Sequence, residues 1–174
     1  WCNTEQETHT FSFSEVARYS NQIANILLES GLKRGDKVMV VLKRHYEYWF
    51  TAVALHKLGI IMIPATHMLT VSDLVYRLSE SQADAVICTP QNDVPEKIRA
   101  AVEQSGRSCR LWCVQEDVEG FSNLTKEMAG ASDQLARVET HVSDPMLLYF
   151  TSGTTGYPKG VIHDFSYPLA HIVT

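Results

Sequence analysis

The sequence predicts an α/β fold, a mostly parallel β-sheet with helices on both faces. Three observations lead there. Short continuous apolar runs such as Val38-Met39-Val40-Val41-Leu42 read as strands covered on both sides, because a half-solvated strand would alternate with polar residues. Longer segments between them carry apolar residues at helical spacing. The two kinds alternate along the chain, which is the pattern of βαβ units and parallel strands.

The elements follow in order. Ser12 to Ser30 is the first predicted helix: Ser12 and Glu15 make a capping box, Phe11 and Val16 occupy hydrophobic-staple positions, and Val16, Tyr19, Ile23 and Leu27 line one face. Gly31 is placed to close it. Lys33-Arg34 reads as a solvated turn into the 38–42 strand. A helix over Tyr46 to Leu58 comes next, with His56 and Lys57 near its negative end and Gly59 after it. Tyr46, Trp49 and Phe50 on that helix read as core. Ile60 to Ile63 is a short strand that Pro64 ends. Thr70 and Asp73 bracket another helix start, with Leu69 and Leu74 as its staple and Val71, Val75 and Leu78 along one face. Ala85 to Cys88 is a strand closed by Thr89-Pro90. Asp93-Val94-Pro95-Glu96 opens a helix that Gly106 ends, and Leu111 to Val114 is a further strand. The polar 116–145 stretch predicts a short helix and a linker. Met146 to Phe150 is a strand that runs straight into a glycine-rich loop.

Bulk properties narrow the function. The 174 residues are 45% hydrophobic and 20% charged with a net charge of -5, an ordinary globular balance rather than that of a disordered chain. The 15 Lys and Arg are scattered, with no basic stripe for nucleic acid or anionic lipid. No apolar run approaches the ~20 residues of a membrane span. The start, Trp1-Cys2-Asn3-Thr4, lacks a signal-peptide pattern, so the expectation is a cytoplasmic protein. Cys2, Cys88, Cys109 and Cys113 match neither a disulfide framework nor a metal-ligand spacing, so no metal site is expected from this chain's own residues. The carboxyl end, from Tyr167 to Thr174, reads as a helix start without a stop, so the chain is expected to be a fragment.

The loop after Phe150 carries the chemistry. From Thr151 to Gly160 stand four Ser or Thr hydroxyls, three glycines and one lysine, and no acid. Glycines let backbone N–H groups converge on an anion, hydroxyls add donors, and Lys159 supplies a positive charge. Hydrogen bonds to a charged group contribute about 1.5–3 kcal/mol each, so several would hold a pyrophosphate firmly. In open parallel sheets ligands bind beyond the carboxyl ends of strands, where this loop is expected to lie. A Walker loop fits poorly: Pro158 stands where its glycine belongs and Gly160 where its magnesium-binding hydroxyl belongs. The bland alternative is an exposed turn with no ligand. His163, on the strand expected after the loop, has no identifiable acid partner and reads as a packed structural histidine rather than a base.

Tyr149-Phe150-Thr151-Ser152-Gly153-Thr154-Thr155-Gly156-Tyr157-Pro158-Lys159-Gly160-Val161 resembles the phosphate-loop motif of the adenylate-forming superfamily, the acyl-CoA synthetases, luciferases and peptide-synthetase adenylation domains. Phe13-Ser14-Glu15-Val16, Gly31 to Val38, and Ala52 to Pro64 with Tyr76-Arg77-Leu78 are similar to that family's early segments. Thr70 to Leu78 and His163 to Leu169 resemble the short- and medium-chain acyl-CoA synthetase branch.

The resemblance implies that residues 1–174 are the partial amino-terminal subdomain of a large adenylation domain, truncated at its carboxyl end. It implies a parent ligase that activates a carboxylic acid with ATP to an acyl-adenylate and passes the acyl group to coenzyme A. Thr151, Ser152, Gly153, Thr154, Thr155 and Gly156 would cradle the β- and γ-phosphates, and Lys159 would be catalytic, neutralising the departing pyrophosphate. The magnesium ligand, the acyl pocket and the nucleoside contacts would lie outside these residues, so the chain alone is expected to be inactive. Gly153, Gly156 and Gly160 imply a loop that closes over ATP and opens again. Two other readings stand beside this one: a P-loop-like nucleotide hydrolase and a non-catalytic nucleotide- or phosphate-binding module.

Overall fold

The computed structural model describes residues 1–2, 7–152 and 156–173. The elements are α1 (Phe13–Glu29), β1 (Lys37–Val41), α2 (Glu47–Leu58), β2 (Ile61–Pro64), α3 (Val71–Ser81), β3 (Ala85–Cys88), α4 (Val94–Ser105), β4 (Arg110–Cys113), β5 (Ser122–Asn123), α5 (Leu124–Gly130), β6 (Pro145–Thr151), β7 (Lys159–Asp164) and α6 (Tyr167–Val173). They form one seven-stranded sheet in the order β5-β4-β3-β1-β2-β6-β7. Every neighbouring pair is parallel except β6 and β7.

The step from β1 to β2 runs one way and the step from β2 to β3 runs back past β1. Parallel crossovers are right-handed, so the intervening helices α2 and α3 must fall on opposite faces. They do. Val38, Val40, Met62, Ala85, Ile87 and Leu147 point toward α1, α2 and α5. The alternate residues Met39, Val41, Ile61, Ile63, Val86 and Leu148 point toward α3 and α4. Both faces of the central strands are therefore buried, which is why their sequences run apolar without alternation.

Local signals set the helix ends. Ser12 accepts from the Glu15 amide while the Glu15 carboxylate takes the Ser12 amide, and Thr70 and Asp73 repeat the arrangement at α3. Gly59 closes α2 in the left-handed conformation, φ 64°. Asp93, expected to open α4, is itself left-handed and makes no side-chain cap; its carboxylate instead pairs with Lys97 at 3.0 Å.

One expectation, that Trp49 is core, needs correction, and two others hold with contacts that local sequence does not show. Trp49 is 59% exposed, whereas Phe50 is buried and Tyr46 half-buried. Arg34 is not merely solvated: its Nη2 donates to Asp144 Oδ1 at 2.6 Å. The 131–144 stretch is a linker without regular structure, yet it is tied down, since Asn25 Nδ2 donates to the Ser132 carbonyl at 2.7 Å and Asn21 Nδ2 to the Asp133 carbonyl at 2.8 Å.

Candidate functional site

The site is built on a hairpin. β6 runs parallel to β2, with Leu147 beside Met62, so Thr151 ends at the same edge as the carboxyl ends of the other parallel strands. β7 returns antiparallel and sets Lys159 opposite Thr151 and Gly160 opposite Phe150. Thr151 Oγ1 reaches the Lys159 carbonyl at 3.4 Å. Thr151, Ser152, Gly156, Tyr157 and Lys159 are exposed. Of the expected phosphate-binding residues, the structure thus brings Thr151, Ser152, Gly156 and Lys159 to one exposed tip. Gly153, Thr154 and Thr155 lie outside the described residues.

The two described glycines differ in purpose. Gly156 has φ 107°, a conformation L side chains rarely adopt, with nothing near the position of a Cβ. Gly160 lies within β7, where a Cβ would stand 3.0 Å from Leu148 Cδ1. Close packing over Leu148 therefore accounts for Gly160, without any need for loop motion at that residue.

A helix on the far side of the sheet's edge supports the hairpin, and the sequence did not announce it. The Tyr76 hydroxyl on α3 donates to the Pro158 carbonyl at 2.8 Å. Its ring stacks on Tyr157, centroids 5.0 Å apart at 26°, and meets Phe150 edge-on at 6.3 Å. Beside it, the Arg77 guanidinium lies 5.4 Å from the Phe150 ring. Tyr76 stands in the sequence only as part of the Tyr76-Arg77-Leu78 resemblance, and nothing local ties it to the hairpin.

A cleft of about 570 Å³ opens between α3 and the hairpin, bordered by Lys37, Tyr76, Glu80, Phe150 and Lys159. A wider cavity of about 770 Å³ lies at the opposite edge beside Glu29, Arg110 and Glu127. Volume is a poor guide here. That cavity sets two acids and one arginine at its wall, whereas the described residues of the hairpin tip present hydroxyls, backbone N–H groups and Lys159. His163 is half-buried on β7 between the Tyr167 and Tyr149 rings, at 4.2 and 5.8 Å, and has a packing role. Among the described residues no group of three or more His, Cys, Asp or Glu is placed to hold a metal ion.

A second polar cluster sits at the carboxyl ends of β1 and β3. His45 Nε2 and Thr89 Oγ1 are 2.8 Å apart and buried. Glu47 is buried as well; Gln115 donates to its Oε1 at 3.0 Å while its Oε2 has no hydrogen-bond partner. His45 Nδ1 is 3.9 Å from that Oε2, too long for a hydrogen bond. Burial pushes Glu47 upward, and burial followed by the charge of Lys43 pushes His45 downward, so both tend toward neutrality and do not form an ion pair. His56, whose Nε2 is buried without a partner, is also pushed down by burial.

These shifts set a pH dependence. A histidine with a lowered folded value stabilises the fold fully above its ordinary 6.5, and that contribution is lost as pH falls through the folded value. Glu47 has the opposite sign: its contribution is present below the ordinary carboxyl value of 4.5 and lost as pH rises through its raised folded value. Acidification from about pH 7.5 to about pH 5.5 therefore carries a destabilising contribution from His45 and His56, opposed in sign by that of Glu47. His56→Leu flattens that change, read as a smaller shift in urea midpoint between the two pH values. An identical shift in variant and wild type would contradict the assignment.

With the hairpin's geometry in place, the comparisons with known proteins decide the family. The model of a family described as AMP-binding enzyme matches residues 2–174. The chain belongs to this family. Among curated relatives, human acyl-coenzyme A synthetase ACSM3, mitochondrial, is 38% identical over 172 residues, covering 95% of the chain and 28% of the relative. Human acyl-coenzyme A synthetase ACSM5, mitochondrial, is 35% identical over 167 residues, covering 95% and 29%. The chain thus spans less than a third of the length of the curated relatives it matches, and it resembles the short- and medium-chain branch of the superfamily. A crystal structure of the anthranilate CoA ligase AuaEII in complex with anthranoyl-AMP superposes with a TM-score of 0.82 at 26% identity, over 93% of the chain and 31% of the ligase. ATP-bound MatB from Rhodopseudomonas palustris shares the fold, with a TM-score of 0.79 at 24% identity over 95% of the chain and 32% of MatB. The mostly parallel sheet flanked by helices is that of the amino-terminal subdomain of the adenylate-forming fold.

One expectation is overturned by the same relatives. The protein was expected in the cytoplasm, but the ACSM3, ACSM4 and ACSM5 relatives are all designated mitochondrial. The physical reason is that a mitochondrial address is an amphipathic, Arg-rich leader, and nothing in the packing of an α/β domain encodes it.

Proposed function

We propose that this AMP-binding chain supplies the phosphate-gripping part of an ATP-dependent acyl-coenzyme A synthetase acting on a short- or medium-chain carboxylic acid. The observation that carries the reading is the exposed hairpin end at the carboxyl end of β6, where Thr151, Ser152 and Gly156 are exposed and Lys159 pairs with Thr151 across the two strands. In the reaction a carboxylate oxygen forms a bond to the α-phosphorus of ATP, and the bond from that phosphorus to pyrophosphate breaks. Negative charge then grows on the leaving group. Neutral donors and a lysine stabilise that charge without exchanging a proton, which suits a site with no acid or base at its tip. Thr151, Ser152, Gly153, Thr154, Thr155 and Gly156 hold the β- and γ-phosphates in this reading, and Lys159 meets the charge. Magnesium, when bound, shields the phosphates; coenzyme A takes the acyl group in the second step. Both are held by residues beyond these 174, and the 174 residues alone do not complete the reaction.

The products test the reading. The intact protein, given ATP, a short- or medium-chain acid and coenzyme A, forms AMP, pyrophosphate and an acyl thioester in equal amounts. ADP and orthophosphate, formed whether or not an acid is present, would instead indicate a nucleotide hydrolase.

A further inference from the structure

We infer that Tyr76 is a positioning residue for Lys159, an inference that rests on the function proposed above. Tyr76 belongs to α3, whose start is fixed by the Thr70–Asp73 capping box and whose Leu74 and Leu78 are buried against the sheet. The residue is therefore presented from a rigid element. Its hydroxyl donates to the Pro158 carbonyl at 2.8 Å, across 82 positions of sequence. That carbonyl belongs to the peptide unit whose nitrogen is the Lys159 amide. Peptide units are planar, so fixing the oxygen fixes the plane and the direction in which the lysine leaves the backbone. On the other side of Lys159, its own carbonyl lies 3.4 Å from Thr151 Oγ1. The same Tyr76 ring stacks on Tyr157 and meets Phe150 edge-on, so it touches β6 and the residues that lead into β7.

The lysine side chain is exposed and long, with many rotamers available. A fixed backbone narrows where its ammonium can go. Tyr76 itself touches no phosphate in this account. It acts by holding the peptide before Lys159 in one orientation, so that the cation is in place when pyrophosphate departs.

The test uses the intact enzyme and carboxylate-dependent exchange of labelled pyrophosphate into ATP. Tyr76→Phe keeps the ring contacts and removes only the hydroxyl. Its exchange kcat falls about threefold to tenfold, the range for one lost hydrogen bond, while KM for the carboxylate stays unchanged. In a Lys159→Ala background the same substitution has no further effect, because there is no cation left to position. Backbone hydrogen exchange at residues 157–160 provides a second reading that needs no turnover, and Tyr76→Phe accelerates it. A Tyr76→Phe enzyme with unchanged kcat, or a loss that multiplies with that of Lys159→Ala, overturns the inference while the proposed function stands. Wild-type enzyme without exchange overturns the proposed function, and the positioning role with it.

Discussion

Lys159→Ala in the intact enzyme lowers the rate of acyl-adenylate formation about 10²- to 10³-fold, the range for removing one preorganised group that meets charge in a transition state. The direction follows from where the charge is. Before reaction the triphosphate is already anionic and is met by several donors, so one exposed lysine adds little to binding. As the bond to the α-phosphorus breaks, a further unit of charge moves onto pyrophosphate, and Lys159, whose backbone pairs with Thr151, is the cation the proposed site offers there. An interaction that strengthens during bond breaking raises kcat more than it lowers KM. The KM for the carboxylate should accordingly stay within about twofold of wild type. Steady-state exchange at saturating ATP reads both quantities. A rate within about twofold of wild type would remove Lys159 from the chemistry.

The second large effect is on stability. Leu55→Ala destabilises the chain by about 2–5 kcal/mol, a large share of the roughly 5–15 kcal/mol that holds a domain together. Leu55 is fully buried in the cluster where α2 meets α1 and the sheet. Its carbonyl also accepts from the Ile60 amide at 2.9 Å at the tight turn into β2, which fixes the backbone and limits collapse around the cavity. With a slope near ~2 kcal/mol per molar urea, the midpoint falls by about 1–2 M. A fall below about 0.3 M would mean the α2 interface closes over the void, and would contradict the rigid packing described here.

Much of this fold is legible in the sequence because the signals are local. Ser12 with Glu15 and Thr70 with Asp73 name two helix starts to the residue, since each box is closed within four positions. The buried strands are legible from their unbroken apolar runs. What sequence could not supply is pairing between distant segments. Nothing near Met62 or Leu147 announces that β2 and β6 are neighbours. The two-residue β5 is too short to carry a period of its own. Trp49 was misplaced because α2 is apolar on most sides, so helical spacing does not settle which face is buried. At the hairpin the residue types suggest the proposed chemistry, yet the support from Tyr76 comes from 82 residues away and leaves no local mark.

The central claim is that the tip of the β6–β7 hairpin grips the terminal phosphates of ATP. Labelling of Lys159 in the intact protein by an amine-reactive reagent tests it directly. ATP and pyrophosphate should each slow modification of Lys159, while AMP, which lacks the β- and γ-phosphates, should leave it unchanged. Equal labelling of Lys159 with saturating ATP and without it would contradict the claim.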